Sequence, residues 1–262
     1  MASVRKPAVA GMFYPADPKE LRAAIDDCMA KTRADDAAPP KAVIAPHAGY
    51  VYSGPVAASA YARLAPLKGT VRRVVLLGPS HRVGFRGLAL PDAESFETPL
   101  GIVPVDRQAV AALAGLPQVT VLPSAHLAEH SIEVHLPFLQ TVLGAFSLAP
   151  LVVGDAEGAE VEAVLEALWG GPETLIVVSS DLSHYHPYDA ARKLDAATSK
   201  AIEALDETRI DWDDACGRTP IAGLLRVARR RGLSAHTIDL RNSGDTAGPR
   251  DRVVGYGSYV IG

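Results

Sequence analysis

The chain has 262 residues, of which 48% are hydrophobic and 21% are charged. These proportions are those of an ordinary globular protein, and they exclude a disordered or fibrous chain. The 26 Lys and Arg residues against 30 Asp and Glu residues give a net charge of −4. This balance offers no basic surface for a nucleic acid or an anionic membrane. No apolar run approaches the ~20 residues that a membrane span needs.

The two cysteines, Cys28 and Cys216, lie far apart, and neither belongs to a CxxC pair. We expect free thiols in a reducing compartment, both of them away from the chemistry of the chain. The N-terminal segment MASVRKPAVAGMFYP lacks the apolar stretch of a secretory signal. The sequence therefore predicts a cytoplasmic protein that binds neither nucleic acid nor membrane.

Short apolar runs alternate with segments of helical period along the chain. Continuous Val, Ile and Leu runs are typical of strands buried on both faces of a parallel sheet. We therefore predict one α/β domain over residues 1–262, with a mostly parallel central sheet and helices on both faces. The stretch 34–40 is predicted to be a loop. In chain order the prediction is strand 41–47, helix 55–64, strand 72–81, helices 106–114 and 131–143, strand 147–155, helix 157–169, strand 174–181, helices 188–205 and 220–232, and strands 234–245 and 252–262.

Four of the predicted strands end in, or lead into, a histidine or an aspartate. In an open α/β sheet, ligands bind outside the carboxyl ends of the strands, so side chains placed there can converge on one site. Each histidine taken alone would be interpreted as a packing or capping residue, but their matching positions together favour a site. The residues concerned are His47, His81, Asp181 with His184, and Asp245.

The residue types in this set suit a metal site with an acid–base group beside it. Two imidazoles and one carboxylate on one face of the metal are the ligands of non-heme Fe(II) oxygenases. His47 and His81 are the preferred imidazole ligands, because each follows a strand and a small residue or proline. Local rules alone favour an ordinary turn role for Asp245 in NSGD. His184 suits a general acid or base, since an unperturbed histidine has a pKa of about 6.5.

The segment HLAEHSIEVHLPF holds His126, His130 and His135. His126 and His130 are four residues apart, but the H-E-x-x-H pattern of zinc proteases is lacking. A helix capped by Ser131, with His130 just outside it, is the preferred interpretation, and His126 then has a structural role. His135 remains open between a core histidine and a residue of the site.

Ordered motifs over nearly the full length resemble those of the Memo family. They begin at RKPAVAGMFYPADPKEL and include PHAGYVYSGPVAASAY, LLGPSH, ETPLG, EHSIEVHLPFLQ, SSDLSHY and NSGD. Prokaryotic members of the AmmeMemoRadiSam system protein B type commonly occur beside AMMECR-type and radical-SAM proteins, which the resemblance implies as partners. The family is similar in fold to class III extradiol dioxygenases, whose LigB-type subunit holds Fe(II) with two His and a Glu.

The resemblance also implies roles for individual residues. His47 and His81 match the two histidine ligands, and Asp245 falls where the dioxygenases have Glu and animal Memo has Cys. The implied metal is Fe(II), with Zn or Cu as alternatives. The implied cleft residues are His135 and His184, with His184 as the acid or base and Asp181 as its orienting partner.

Two functions are compatible with these expectations. The first is an Fe(II)-dependent oxygenase or related redox enzyme that acts on a small catecholic or phenolic substrate. The second is a non-catalytic protein that binds a metal, a partner or a phosphopeptide in the same cleft, a case that animal Memo resembles through its proposed phosphopeptide binding and metal handling. Fold alone does not choose between them. The carboxylate of Asp245 favours the enzyme, because a thiolate there would alter the chemistry of the two-His, one-carboxylate site.

Overall fold

The computed structural model describes residues 3–32 and 37–262. The predicted loop at 34–40 lies partly outside the described residues, and its remainder at 37–40 forms no helix or strand. The described elements, in chain order, are β1 (Val4–Arg5), α1 (Pro18–Met29), β2 (Ala42–Ala45), α2 (Tyr50–Ala62), β3 (Arg73–Pro79), β4 (Leu88–Leu90), β5 (Ser95–Thr98), β6 (Gly101–Pro104), α3 (Arg107–Ala112), β7 (Val119–Val121), α4 (Pro123–Leu127), α5 (Leu136–Leu143), β8 (Ser147–Val153), α6 (Gly158–Leu168), β9 (Thr174–Ser179), β10 (His184–His186), α7 (Tyr188–Glu203), α8 (Arg218–Arg231), β11 (Ala235–Asn242), α9 (Ser243–Thr246) and β12 (Val253–Ile261).

The described strands form a nine-stranded central sheet and a small sheet in the order β1–β5–β6. The central order is β10–β12–β2–β9–β3–β8–β4–β7, and β11 also pairs with β12. The four strands β2, β9, β3 and β8 run parallel to one another. On either side of them, β12 and β4 join in the antiparallel sense. The predicted α/β class is confirmed. The sheet as a whole is mixed, and its parallel strands form the centre.

Helices cover both faces of this sheet because successive residues of each central strand point to opposite sides. In β3, Val74 and Leu76 pack into one apolar core, which also contains residues of α1, α2 and α5. Val75 and Leu77 pack into the other core, with residues of α6, α7 and α8. Burial on both faces explains the unbroken apolar runs in the sequence. Among the described helices, none combines the length and the apolar character needed to cross a bilayer.

Two predicted helices begin elsewhere than expected. Helix α2 starts at Tyr50 rather than at Pro55, because the Tyr50 amide donates to the carbonyl of Phe13 at 2.7 Å and fixes an earlier first turn. The predicted helix 131–143 begins instead as a 3₁₀ turn at Glu133–His135, followed by α5. Ser131 does not cap it, since the Ser131 hydroxyl donates to the carbonyl of Pro79 at 2.8 Å.

The short strands β1, β4, β5, β6 and β7 were not expected from the sequence. Each has two to four residues. Such segments are too short to display a period of two, so tertiary contacts rather than local pattern define them.

Candidate metal centre

His47 and His81 lie next to each other at the carboxyl edge of the parallel strands. Each follows the last residue of its strand by two positions, His47 after β2 and His81 after β3. Their ring centroids are 5.1 Å apart, and the ring planes meet at 74°. The structure therefore brings together the two histidines that the sequence predicts as metal ligands.

Hydrogen bonds fix the orientation of the His47 ring. The Ser179 hydroxyl donates to the carbonyl of Ser131 at 2.7 Å, so at its contact with His47 Nδ1, 2.6 Å away, the Ser179 oxygen must accept. The proton of the imidazole is therefore on Nδ1, and the lone pair is on Nε2. Burial lowers the pKa of His47 well below its usual range, which keeps the ring neutral. A ring held in this way is ready to bind a metal through Nε2.

The His81 ring is oriented by a carboxylate. Its Nδ1 lies 2.9 Å from Glu129 Oε1, and its backbone amide donates to Glu129 Oε2 at 2.6 Å. Burial would raise the pKa of Glu129, but the hydrogen bonds from His81 and from backbone amides outweigh it and bring the pKa to about 2. Because an ionised carboxylate only accepts, His81 carries its proton on Nδ1 and presents Nε2 as a ligand atom.

Cys216 joins these two histidines. Its Sγ lies 3.4 Å from His47 Nε2, and ligand atoms of His47, His81 and Cys216 all lie within 4.8 Å of one another. The prediction that Cys216 lies away from the site is wrong. The loop before α8 packs tightly onto the end of β9, where a Cβ on Gly217 would lie 2.5 Å from the carbonyl oxygen of Ser179. Glycine at 217 permits this close approach.

His130 forms a second group with the same histidine. Ligand atoms of His81, Glu129 and His130 also lie within 4.8 Å of one another. The His130 ring stacks on His81 with centroids 4.6 Å apart and contacts Phe13 at 4.7 Å. Burial lowers the pKa of His130 to about 4. Little in the sequence predicts this group, because Glu129 and His130 lie in an irregular segment far from His81 along the chain.

His135 and His126 are both buried, but their surroundings differ. His135 Nδ1 lies 2.5 Å from the Tyr61 hydroxyl, and its Nε2 has no hydrogen-bond partner among the described residues. Burial lowers the pKa of His135 to about 3. His126 Nε2 lies 2.9 Å from the carbonyl of Ala89, in keeping with the structural role expected for it.

Asp181 and His184 follow β9, as predicted, but no hydrogen bond joins them among the described contacts. The carboxylate of Asp181 accepts from the backbone amide of His47 at 2.7 Å and so supports the loop that carries His47. Burial raises the pKa of Asp181 to about 7, although that hydrogen bond opposes the rise. Burial lowers the pKa of His184, and a positive charge on His81 would lower it further.

Asp245 occupies a helix-capping position rather than the centre. Its carboxylate accepts from the backbone amide of Asn242 at 3.1 Å and from the Tyr188 hydroxyl. Neither group of clustered ligand atoms found in the described ranges includes it. Asp245 therefore has the turn role that local rules favour for NSGD, and its carboxylate does not join His47 and His81 in a group of ligand atoms.

A cavity of about 300 Å³ opens beside Cys216, at the carboxyl ends of β3 and β8. Its size is that of a site for a small molecule, and aromatic and apolar side chains form much of its wall. The lining residues include Pro79, Val83, Phe85, Trp212 and Cys216.

The fold and this edge define an α/β protein with a cluster of histidines at the carboxyl ends of its parallel strands. The family described as Memo-like protein matches residues 5–260, and the chain belongs to the Memo family, as its motifs predicted. A MEMO1 family protein of Methanopyrus kandleri is 37% identical over 281 residues, covering 98% of each chain. A MEMO1 family protein of Aquifex aeolicus is 35% identical over 264 residues, covering 97% of each chain.

A solved structure of similar fold is that of the uncharacterized protein JW3007 from Escherichia coli K12. It superposes with a TM-score of 0.55 over 84% of this chain and 99% of that chain, at 15% sequence identity. At this level of identity the likeness concerns the fold alone.

Proposed function

We propose that this Memo-family protein is a non-heme metal enzyme that binds Fe(II) between His47 and His81 and oxidises a small catecholic or phenolic substrate. The observation that carries the proposal is the pair of imidazoles, each held through Nδ1, so that each presents Nε2 to a metal. When bound, Fe(II) supplies the one-electron chemistry that lets dioxygen react with an aromatic diol. Zn and Cu bind the same donors and are the alternative metals.

The side chains around the two ligands suit the proton transfers of such a reaction. His184 is the proposed acid–base group, because its lowered pKa keeps it neutral and able to take a proton from a substrate hydroxyl. His135 offers a buried Nε2 that no described protein group occupies, which suits a hydrogen bond to a substrate oxygen. Asp181 acts on the position of His47 through the backbone rather than on His184.

The cavity beside Cys216 supports a small aromatic substrate, because Phe85 and Trp212 offer ring surfaces in a space that also borders Cys216, whose Sγ lies 3.4 Å from His47 Nε2. We also propose that AMMECR-type and radical-SAM proteins, which the resemblance implies, are partners of this chain. Stable co-purification of either protein with this chain is the expected result.

The experiment compares wild type with His184→Ala after anaerobic reconstitution with Fe(II). Iron content and oxygen consumption with a panel of catechols are measured on the same preparation. Iron should be retained in the variant while the rate falls by ~10²–10⁴, the usual cost of losing a positioned acid or base. His236→Ala is the control and should match wild type, since His236 lies at the opposite end of β11 from the site.

An unchanged rate in His184→Ala would contradict its role, and lost iron would make His184 a ligand instead. A wild-type protein that holds iron but consumes no oxygen with any catechol would favour the second function. In that case the cleft would bind a metal, a partner or a phosphopeptide without turnover.

A further inference from the structure

We infer that the substrate carries a positively charged amine, and that Asp155 binds this amine in the cavity beside Cys216. The inference rests on the proposed function, since it names the class of phenol or catechol that the site takes. It also adds a specificity-determining residue outside the histidine cluster. Asp155 follows the last residue of β8 by two positions and lines the cavity.

The charge of the cavity wall comes from Asp155. Among the described residues that line this cavity, it is the one with a charged side chain. Asp155 is exposed, and the described contacts include no hydrogen bond or ion pair to its carboxylate. Arg86 donates instead to the backbone carbonyl of Asp155, at 2.7 Å. An unpaired negative charge in the wall attracts a cation and repels a carboxylate.

Two arginines nearby have partners of their own. Arg86 donates to both carboxylate oxygens of Glu160, at 2.7 Å and 2.9 Å, so its charge is matched. The guanidinium carbon of Arg218 lies 4.6 Å from the centroid of the Trp212 ring, and its Nε donates to the carbonyl of Ile210 at 2.5 Å. Neither arginine lines the cavity. The cavity therefore presents a negative charge that no lining residue compensates.

Aromatic rings and a hydroxyl in the same cavity also suit an ammonium group. Phe85 and Trp212 line it, and the face of an aromatic ring attracts a cation that lies within about 6 Å of the ring centroid. Thr219 lines it as well and is only 7% exposed, and its hydroxyl has no hydrogen-bond partner among the described contacts. A hydroxyl oxygen can accept from an ammonium, which has three donors.

The position of Asp155 also sets the length of the ligand. Cys216 lines the same cavity, and its Sγ lies 3.4 Å from His47 Nε2 and 3.6 Å from the carbonyl oxygen of Asp181, just after β9. Strands β9 and β8 flank β3, so their ends are two strand spacings, or ~10 Å, apart. This is close to the length of a phenol ring that carries an amine on a two-carbon chain. The ring hydroxyl then lies toward His47 and the amine at Asp155.

The test is isothermal titration calorimetry of the full chain, without added metal, with three phenols of similar size. Tyramine carries an ammonium at neutral pH, 4-ethylphenol is the same molecule without the amine, and 4-hydroxyphenylacetate carries a carboxylate. Tyramine should bind about tenfold more tightly than 4-ethylphenol, since an exposed ion pair contributes up to about fivefold and a cation–π contact a few-fold more. 4-Hydroxyphenylacetate should bind more weakly than 4-ethylphenol.

Variants of Asp155 test the residue itself. Asp155→Asn should remove most of the preference for tyramine while the affinity for 4-ethylphenol stays the same. Asp155→Lys should reverse the preference, so that 4-hydroxyphenylacetate binds more tightly than tyramine. Asp213→Asn is the matched control and should keep the wild-type preference, because Asp213 is an exposed acid next to Trp212 that does not line the cavity. The circular dichroism spectra of all three variants should match that of wild type.

The inference is overturned if wild type does not prefer tyramine, if Asp155→Asn keeps the preference, or if Asp213→Asn reduces it as much as Asp155→Asn does. Binding of none of the three phenols would overturn the inference together with the proposed substrate class. A preference for tyramine that depends on Asp155, in a protein that consumes no oxygen with any catechol, would remove the proposed enzyme and leave the amine site.

Discussion

Two polar clusters of this protein use their polar atoms in opposite ways. In the first, the carboxylate of Glu133 accepts from the amides of Ala8 at 2.8 Å and Val9 at 3.0 Å and from the Tyr14 hydroxyl at 2.5 Å. It also pairs with the guanidinium of Arg5. Every oxygen of this carboxylate is occupied, so the cluster fastens the N-terminal segment to the 3₁₀ turn before α5.

The second cluster, at His47 and His81, leaves ring nitrogens with few partners or none. In the described part of the chain, His135 Nε2 has no hydrogen-bond partner, His130 Nδ1 lies 3.3 Å from Glu129 Oε1 alone, and His47 Nε2 meets only the thiol of Cys216. Buried polar atoms are almost always satisfied in folded proteins, so these ring nitrogens are candidates for contact with a bound ligand. A filled polar cluster stabilises the fold, whereas the cluster at His47 and His81 is the proposed place of the chemistry.

The largest effect is expected from breaking the filled cluster. Glu133→Ala leaves the buried Arg5 without its counter-charge and should lower the free energy of unfolding by ~3–5 kcal/mol. Urea denaturation measures it, and metal bound per folded chain should not change. The exposed pair of Lys6 and Glu97 provides the control, since Glu97→Ala should cost less than ~1 kcal/mol. If Glu133→Ala and Glu97→Ala lowered the free energy of unfolding equally, the buried ion pair would stabilise the fold no more than the exposed one.

A buried carboxyl with few partners should behave differently from Glu133. Burial raises the pKa of Asp195 to about 6, although a hydrogen bond from Ser183 opposes the rise. The unfolded value is about 3.9, so Asp195 favours folding most below pH ~4, and this contribution is lost as the pH rises through about 6.

Asp195→Asn removes that pH dependence. Relative to wild type, the variant should therefore gain about 2–3 kcal/mol of stability between pH 4 and pH 8. The measurement is the urea midpoint across this range. A difference between the two proteins that stays constant with pH would show that Asp195 ionises normally in the folded state.

A smaller effect is expected from the carboxylate that supports the open cluster. Glu129→Gln keeps an oxygen near His81 but removes the charge that holds its Nδ1 proton. The metal affinity of the folded chain, measured with Co²⁺, should fall by roughly 10–100-fold. The free energy of unfolding should fall as well, because the folded protein lowers the pKa of Glu129 to about 2 and the variant loses that contribution at neutral pH. Unchanged affinity would mean that Glu129 does not orient the ligand.

The edge of the sheet was predictable because strands buried on both faces appear in the sequence as continuous apolar runs. The apolar runs of β2 and β3 predict that His47 and His81 lie at one edge of the sheet. The position of Cys216 beside His47 could not be predicted in this way. It depends on a loop that packs against the end of β9 at Gly217, which no local sequence pattern indicates. For Asp245, local turn chemistry was the better guide, since its carboxylate caps α9.

His47 and His81 are proposed to hold the metal. Iron per chain, measured by elemental analysis after anaerobic reconstitution, tests this assignment in wild type, His47→Ala, His81→Ala and the control His236→Ala. We expect one iron per chain in wild type and control and none in either single variant, with cooperative unfolding in all four proteins. Full iron occupancy in both His47→Ala and His81→Ala would contradict the assignment.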